Sequence, residues 1–226
     1  LIRFREWAEY PDGRETDLTG REANDLYNAE PFVEAIGGRI VFIGDVTGTT
    51  LGEDGAWDQI IIVDYPCPLA FIAMMVHPEF QETEIHKEAG VEESIVMMTS
   101  LQTSEDLPAI SDAGFYTVDV YQVGDQATYT DNSEESDRTG AEALVLFESG
   151  IEKARLEQGI GISARLRVDG VVVGDGRDFD EVWIHAVPGT GAYESFLSDP
   201  DVVDATRHRD AALTDGYGMI VGEAFS

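Results

Sequence analysis

The sequence predicts an α+β fold built from two tandem ferredoxin-like halves, each in the order βαββαβ, and three observations carry that prediction. The first is an internal repeat. A gap-free shift of 122 residues lays 37–98 on 159–220, and thirteen of the 62 positions coincide, among them Gly37/Gly159, Asp58/Asp180, Pro66/Pro188, Pro78/Pro200 and His86/His208. Self-similarity at that level marks a diverged tandem duplication. The second is a repeated helix start: Thr19-Gly20-Arg21-Glu22 and Thr139-Gly140-Ala141-Glu142 are both capping boxes, in which Thr and Glu side chains satisfy free backbone N–H groups of the first turn. The third is the order of periodic segments, which reads strand, helix, strand, strand, helix, strand in each half. The halves are expected at 1–103 and 115–226, joined by a linker at 104–114 that carries acids, Pro108 and Gly114.

Taken in order, Leu1 to Tyr10 reads as a strand and Pro11 to Leu18 as a polar loop. The first helix is expected to run to about Ile36 and stop at Gly37-Gly38. Its counterpart runs from Ala141 to about Gln158 and stops at Gly159, since glycine ends helices at little steric cost. Strands follow at Arg39–Val46 and Gly161–Val168, then at Asp58–Tyr65 and Asp180–Val187. Each of the latter begins with an aspartate after a glycine-containing turn and ends at a proline. Pro68–Val76 and Gly191–Leu197 read as helices. Pro78 and Pro200 each open a further helix, with His77 and Asp199 at the cap positions. Ile95–Leu101 and Tyr217–Ala224 close the halves as strands, and the acidic loop Gly124–Arg138 has no periodicity and reads as mobile.

Charge narrows the possible partners. Asp plus Glu outnumber Lys plus Arg by 45 to 14, giving a net charge of -31. Such a chain repels phosphate backbones and anionic headgroups, so neither nucleic acid nor a membrane surface is an expected partner. The excess suits a saline setting or a merely acidic protein, and composition does not choose between them. The single cysteine, Cys67, excludes an internal disulfide and a multi-cysteine zinc site. Hydrophobic runs such as Ala70–Val76 are too short to span a bilayer, and a soluble, cytoplasmic protein is expected.

The first half carries a more specific pattern. The runs Gly37-Gly38-Arg39, Trp57-Asp58, Tyr65-Pro66, Pro78-Glu79-Phe80-Gln81 and His86-Lys87-Glu88-Ala89-Gly90, with Phe71 and Met74, resemble the uncharacterised-function family 1330, a branch of the dimeric α+β barrel superfamily. The second half resembles it more loosely, through Phe179-Asp180, Pro188, Pro200 and His208-Arg209-Asp210-Ala211-Ala212. It has Ile160 where the paired glycine would be and lacks the Phe-Gln after the proline. The resemblance implies two four-stranded sheets packed face to face, here supplied by one chain as an intrachain dimeric α+β barrel. It also implies relatives that include cofactor-free monooxygenases, isomerases, small-molecule lyases and haem-binding enzymes.

Strand alternation divides the side chains into two faces. Placing the aliphatic set (Ile162, Ala164, Leu166, Val168, Val182, Ile184, Val118, Val120) under the helices leaves Asp119, Tyr121, Arg165, Glu181, Trp183 and His185 facing the partner sheet. The same treatment of the first half gives Arg5, Trp7 and Tyr65. A pocket between the two sheets is therefore the expected site. There His185, Arg165 and Glu181 are the candidate catalytic residues, His185 as acid or base and Arg165 as an anion clamp. Trp183, Tyr121, Asp119, Arg5, Trp7 and Tyr65 are the candidate ligand contacts. The competing reading is that these charges merely pair, Arg5 with Asp119 or Arg165 with Glu181, as buried charges must. His86 and His208 fit packing or capping roles better than chemistry, and Asp58 and Asp180 fit turns.

The function expected from this pattern is small-molecule binding or catalysis: proton transfer, isomerisation or cofactor-free oxidation of a modest, partly apolar substrate. The alternative is a non-catalytic structural or oligomerisation module whose inter-sheet face is fully packed. No metal and no cofactor is expected, and the chain is read as a monomer or homodimer. Gly159-Ile160-Gly161 follows a helix and enters a strand, the reverse of a dinucleotide fingerprint.

Overall fold

The computed structural model describes residues 1–102, 113–130 and 137–223. Among them are nine strands and seven helices: β1 (Ile2–Phe4), α1 (Gly20–Asp25), α2 (Glu30–Ala35), β2 (Arg39–Leu51), β3 (Gln59–Asp64), α3 (Pro68–Met75), α4 (Pro78–Gly90), β4 (Val91–Ser94), β5 (Val96–Leu101), β6 (Phe115–Val123), α5 (Gly140–Glu157), β7 (Gly161–Val173), β8 (Glu181–Val187), α6 (Thr190–Leu197), α7 (Pro200–Ala212) and β9 (Leu213–Glu223). The bounds of β2, α3 and α4 recur as β7, α6 and α7 after a shift of 122 residues.

All strands join one antiparallel sheet in the order β4-β1-β3-β2-β9-β6-β8-β7-β5. Each half of that order repeats a single permutation, fourth strand beside first, first beside third, third beside second. The halves meet where β2 pairs β9, with Val46 opposite Val221. They meet again at the other end of the order. β4 and β5 are separated only by Ile95, yet β4 pairs β1 and β5 pairs β7, so one bent segment serves both halves.

Matching polar devices hold the two halves in shape. Both capping boxes form, with Thr19 and Thr139 accepting from the Glu22 and Glu142 N–H groups at 3.2 Å. Asp58 Oδ2 accepts the Phe4 N–H at 2.7 Å, and Asp180 Oδ2 accepts the Val123 N–H at 2.7 Å. Each aspartate thus ties the end of the neighbouring strand rather than only its own turn. The helix histidines accept or donate at Nδ1 to tyrosine hydroxyls, His86 to Tyr10 at 2.8 Å and His208 to Tyr129 at 2.7 Å. Gly20 and Gly140 allow backbone crossings, since a Cβ at Gly20 would strike the Arg5 and Gly90 carbonyls and one at Gly140 the Gly124 and Ala212 carbonyls. Gly37 and Gly159 end their helices at φ 78° and 67°, as their positions predict.

Local departures from the sequence reading have physical causes. The first helix is not continuous to Ile36, because Pro31 has no N–H to give and its ring crowds the preceding turn, so the chain breaks between α1 and α2. The first strand stops at Phe4, where the Asp58 carboxylate takes over its last N–H. Asp199 caps α7 by accepting the Asp201 N–H at 2.8 Å, whereas His77 holds the equivalent cap position of α4 without a side-chain bond. The linker at 104–114, apart from its last two residues, and the centre of the Gly124–Arg138 loop lie outside the described residues.

The larger correction concerns the two faces of the sheet. The aliphatic set, Val118, Val120, Ala164, Leu166, Val182 and Ile184, does not pack under helices. It fills the interior enclosed by the sheet, together with Phe42, Trp57 and Ile60 of the first half and Ile95 between β4 and β5. Tyr121 and Trp183 instead face α5 and α7, against Ala143, Phe147, Ile151, Val202 and Ala212. In the first half, Val63 and Tyr65 face α2, α3 and α4 through Val33, Met74 and Phe80. The interior walled by the two halves takes the aliphatic set together with aromatic residues such as Phe42, Trp57, Tyr116 and Phe179. The helix-covered face tolerates polar tips that reach out between helices. The expected pocket between the sheets is therefore replaced by packed core. Irregularities sharpen the point: the register of β7 on β8 shifts between Ile162 and Ala164, and that of β2 on β3 between Ile40 and Phe42. Strict alternation fails there, and Ile162 comes to lie opposite His185.

Candidate functional site

The polar set read from alternation does converge, but under α5. A cleft of about 200 Å³ lies between that helix and strands β7 and β8, lined by Glu148, Ile151, Glu152, Arg155, Arg165, Trp183 and His185, with Ser149 and Ile162. The helix contributes Glu148, Ile151, Glu152 and Arg155 at the i, i+3, i+4, i+7 spacing that puts four side chains on one face. That spacing is visible in the sequence, and it is the signal that would have added Glu148 and Arg155 to the candidates.

Trp183 is the floor, 2% exposed. Phe147 of α5 stacks on it at 6.3 Å with an interplanar angle of 18°, and Tyr121 meets it edge-on at 5.4 Å. Its indole N–H donates to Glu181 Oε2 at 2.6 Å, which fixes both rotamers. Glu181 is thereby an indole acceptor rather than a partner of Arg165. The Arg165 guanidinium lies 3.9 Å above the Trp183 ring, a cation–π contact of roughly 1–2 kcal/mol when desolvated. Its Nη2 reaches Glu148 Oε1 at 2.5 Å, while its buried Nε has no protein partner. Arg155 Nη1 donates to the Ile160 carbonyl at 2.7 Å, anchoring a second guanidinium at the cleft wall.

His185 is buried in the adjoining wall, its ring 6.3 Å from that of Trp183. Burial, reinforced by the positive charges of Arg155 and Arg165, brings its pKa down to about 4, so the imidazole is neutral at physiological pH. Its Nδ1 lies 4.0 Å from Asp119 Oδ2. Asp119 is itself pushed up to about 7 by burial, partly offset by Arg209. Tyr121 is raised above the usual phenol range, by burial first and the Asp119 carboxylate second. A neutral imidazole beside two guanidiniums can accept a proton while the cations hold the anion left behind.

Three sequence candidates lie elsewhere. Trp7 is 58% exposed and pairs Thr19 through an isolated bridge. Arg5 lies near Glu9 at 3.9 Å, and not against Asp119. Tyr65 packs edge-on against Phe71 at 5.3 Å in the apolar cluster of the first half, where burial raises its pKa. Among the described residues no group of His, Cys, Asp and Glu is arranged to hold a metal ion, and no helix is long and apolar enough to cross a membrane.

No family model matches the chain, and no curated protein matches it. Among solved structures, the chain is similar to an anthrone oxidase-like protein at 14% identity and a TM-score of 0.55, over 93% of this chain and 88% of that one. It is also similar to a protein of unknown function from Rhodopseudomonas palustris at 20% identity and a TM-score of 0.45, over 51% of this chain and 85% of that one. The first likeness extends over nearly the whole molecule and supports a mixed α+β fold of the barrel type, with one large antiparallel sheet and its helices.

Proposed function

We propose that this protein binds and acts on a small molecule in the cleft between α5 and strands β7 and β8, by proton transfer to His185. The observation that carries the reading is the convergence of a neutral, buried imidazole with Arg165, whose buried Nε is unpartnered, in a cleft walled by Trp183. At about 200 Å³ the cleft is smaller than drug-sized pockets of about 300–1,000 Å³, which favours a ligand of one or two rings. His185 abstracts a proton from an activated C–H or O–H group, and the resulting enolate or phenolate is held by Arg165 and Arg155. Isomerisation or cofactor-free oxidation of that anion are the onward reactions this arrangement suits. Trp183 supplies an apolar wall and Glu181 fixes its orientation. The anthrone oxidase-like neighbour shares the fold.

The repeated strand permutation and the 122-residue offset of the elements support a reading of the chain as two ferredoxin-like halves, 1–103 and 115–226, with 104–114 as linker and the sheet as an intrachain dimeric α+β barrel. The resemblance to family 1330 rests on Gly37-Gly38-Arg39 and the motif residues from Trp57 to Gly90, and kinship with it is part of the same proposal. The structural-module alternative gains from the packed interior, yet that packing leaves the cleft on the other face intact.

Titration with salicylate, a one-ring phenol carboxylate, followed by quenching of tryptophan fluorescence, tests the reading. Binding to the wild type that weakens about tenfold or more in Arg165→Ala, with an unchanged far-UV spectrum, is expected. Binding by Arg165→Ala and His185→Ala as tight as that of the wild type would overturn it.

A further inference from the structure

Asp119 is a largely buried carboxyl group, its side chain 15% exposed, that the cleft chemistry above leaves unused. It sits on β6 opposite Trp183 of β8 and Gly218 of β9. The absence of a side chain at Gly218 is what makes room for it, since a Cβ there would strike both Asp119 Oδ1 and Thr50 Oγ1. Thr50 belongs to β2, so a first-half side chain completes the surroundings of a second-half acid. Around the pair, α6 contributes Tyr193, which interacts with Thr50, and α7 contributes Arg209; β6 contributes Tyr121, β7 Arg165 and α5 Arg155, Glu148 and Glu152.

We propose that Asp119 is the positioning partner of His185, a largely buried carboxylate that receives, through the imidazole, the proton taken from a substrate, so that the pair works as a relay that starts as carboxylate and Nδ1–H imidazole and ends with the proton on the carboxyl group. The geometry sets the direction of transfer. The positive charges of Arg155 and Arg165 oppose a positive charge on the imidazole, whereas the carboxyl group is influenced by a different cation, Arg209.

In the step itself the substrate C–H or O–H bond breaks and an N–H bond forms at His185 Nε2, while the Nδ1–H bond breaks and an O–H bond forms on Asp119. The imidazole ends neutral in the other tautomer, the carboxylate ends protonated, and the negative charge passes from Asp119 to the substrate beside Arg165. The gap of 4.0 Å between Nδ1 and Oδ2 closes by a small side-chain rotation or through one water. The ordering of proton affinities, about 7 for Asp119 against about 4 for His185, agrees with that direction.

The relay rests on the reading of the cleft as a proton-transfer site, and its test uses the ligand-free protein so that the two fail separately. Nitrogen-15 resonances of the four histidines are followed between pH 4 and 9, with His185 assigned through His185→Gln, alongside carbon-13 carboxyl resonances of the aspartates. Asp119 is expected to titrate near pH 7, and His185 to change tautomer, without protonating, at the same midpoint. In Asp119→Asn that step vanishes and only the acid-side protonation of His185 remains. A His185 that protonates with its ordinary midpoint, or a tautomer step that survives Asp119→Asn, overturns the relay. Should Asp119→Asn fail to fold, the wild-type carboxyl titration decides, since a midpoint in the ordinary aspartate range refutes it. Failure of salicylate binding with intact coupled titrations would sink the site and leave the pair standing.

Discussion

The two halves of the sheet hold the same frame around different contents. Where β7 and β8 present Arg165, Trp183 and His185, the positions one repeat earlier on β2 and β3 are Ile43, Ile61 and Val63, and Glu181 stands against Gln59. Over the second-half strands runs the unbroken helix α5, whose spaced side chains wall a cleft. Over the first, Pro31 breaks the helix in two, and Val33, Phe32, Tyr27 and Phe80 close down on Val63 and Tyr65. The features the halves share are those a fold needs: the capping boxes, the aspartates that finish neighbouring strands, the tyrosine–histidine pairs and the glycines at backbone crossings. The polar residues differ at strand positions whose pairing is the same in both halves.

The comparison breaks most severely at a shared position. Gly140→Ala places a Cβ against the Gly124 and Ala212 carbonyl oxygens, and Gly20→Ala does the same against Arg5 and Gly90. Either is expected to lose about 3 kcal/mol or more in urea unfolding, because backbone rather than a flexible side chain must move. Next comes the floor of the cleft. Trp183→Ala removes the ring beneath Arg165 and beside Phe147 and should cost about 3–5 kcal/mol, whereas replacing Ile61, its counterpart, with Ala should cost about 2–4.

The pH dependence of stability sharpens the comparison further. Asp119 has a folded-state pKa raised to about 7 from 3.8, so the native state binds the extra proton between those values. Stability from this group is greatest below pH 4, declines as pH rises to about 7 and stays low above it. His185 acts with the opposite slope. Its folded pKa lies near 4, below the ordinary 6.5, so stability is lost as pH falls through that window. Asp119→Asn should therefore be more stable than the wild type at pH 8 and less advantaged at pH 4, as read from melting temperatures. The smallest effects belong to the paired tyrosines. Tyr129→Phe and Tyr10→Phe each remove one hydrogen bond to a helix histidine and should cost about 1 kcal/mol, nearly the same in either half.

Much of the frame was legible because its signals are local. A Thr three residues before a Glu, a glycine after a periodic helix and a proline at a first turn each act within a few residues, and their structural counterparts form as read. The side of the sheet was not legible in the same way. Alternation sorts Arg165, Trp183 and His185 from Ala164, Val182 and Ile184, but it does not say which set meets helices and which meets the other half. That depends on how the whole sheet encloses an interior, a property of residues more than 100 positions apart such as Phe42 and Val118. The irregularity at Ile162 to Ala164 is likewise invisible without its partner strand. Polarity groups Arg165, Trp183 and His185, which line the cleft, but leaves open which neighbour they meet. Glu148 and Arg155 join them only where a helix face meets a strand face, a pairing that no local signal carries.

The strand that bends at Ile95 has a consequence for how copies of this molecule meet. Because β4 and β5 are one segment shared between β1 and β7, the strands that end the nine-strand order are short among the described residues, four residues in β4 and six in β5. Short ends of this kind disfavour edge-to-edge strand addition, the usual route by which exposed sheets recruit one another. On this acidic molecule the uncharged helix α3 leaves Leu69 and Ile72 exposed, a surface that brings no carboxylates of its own to a contact between copies.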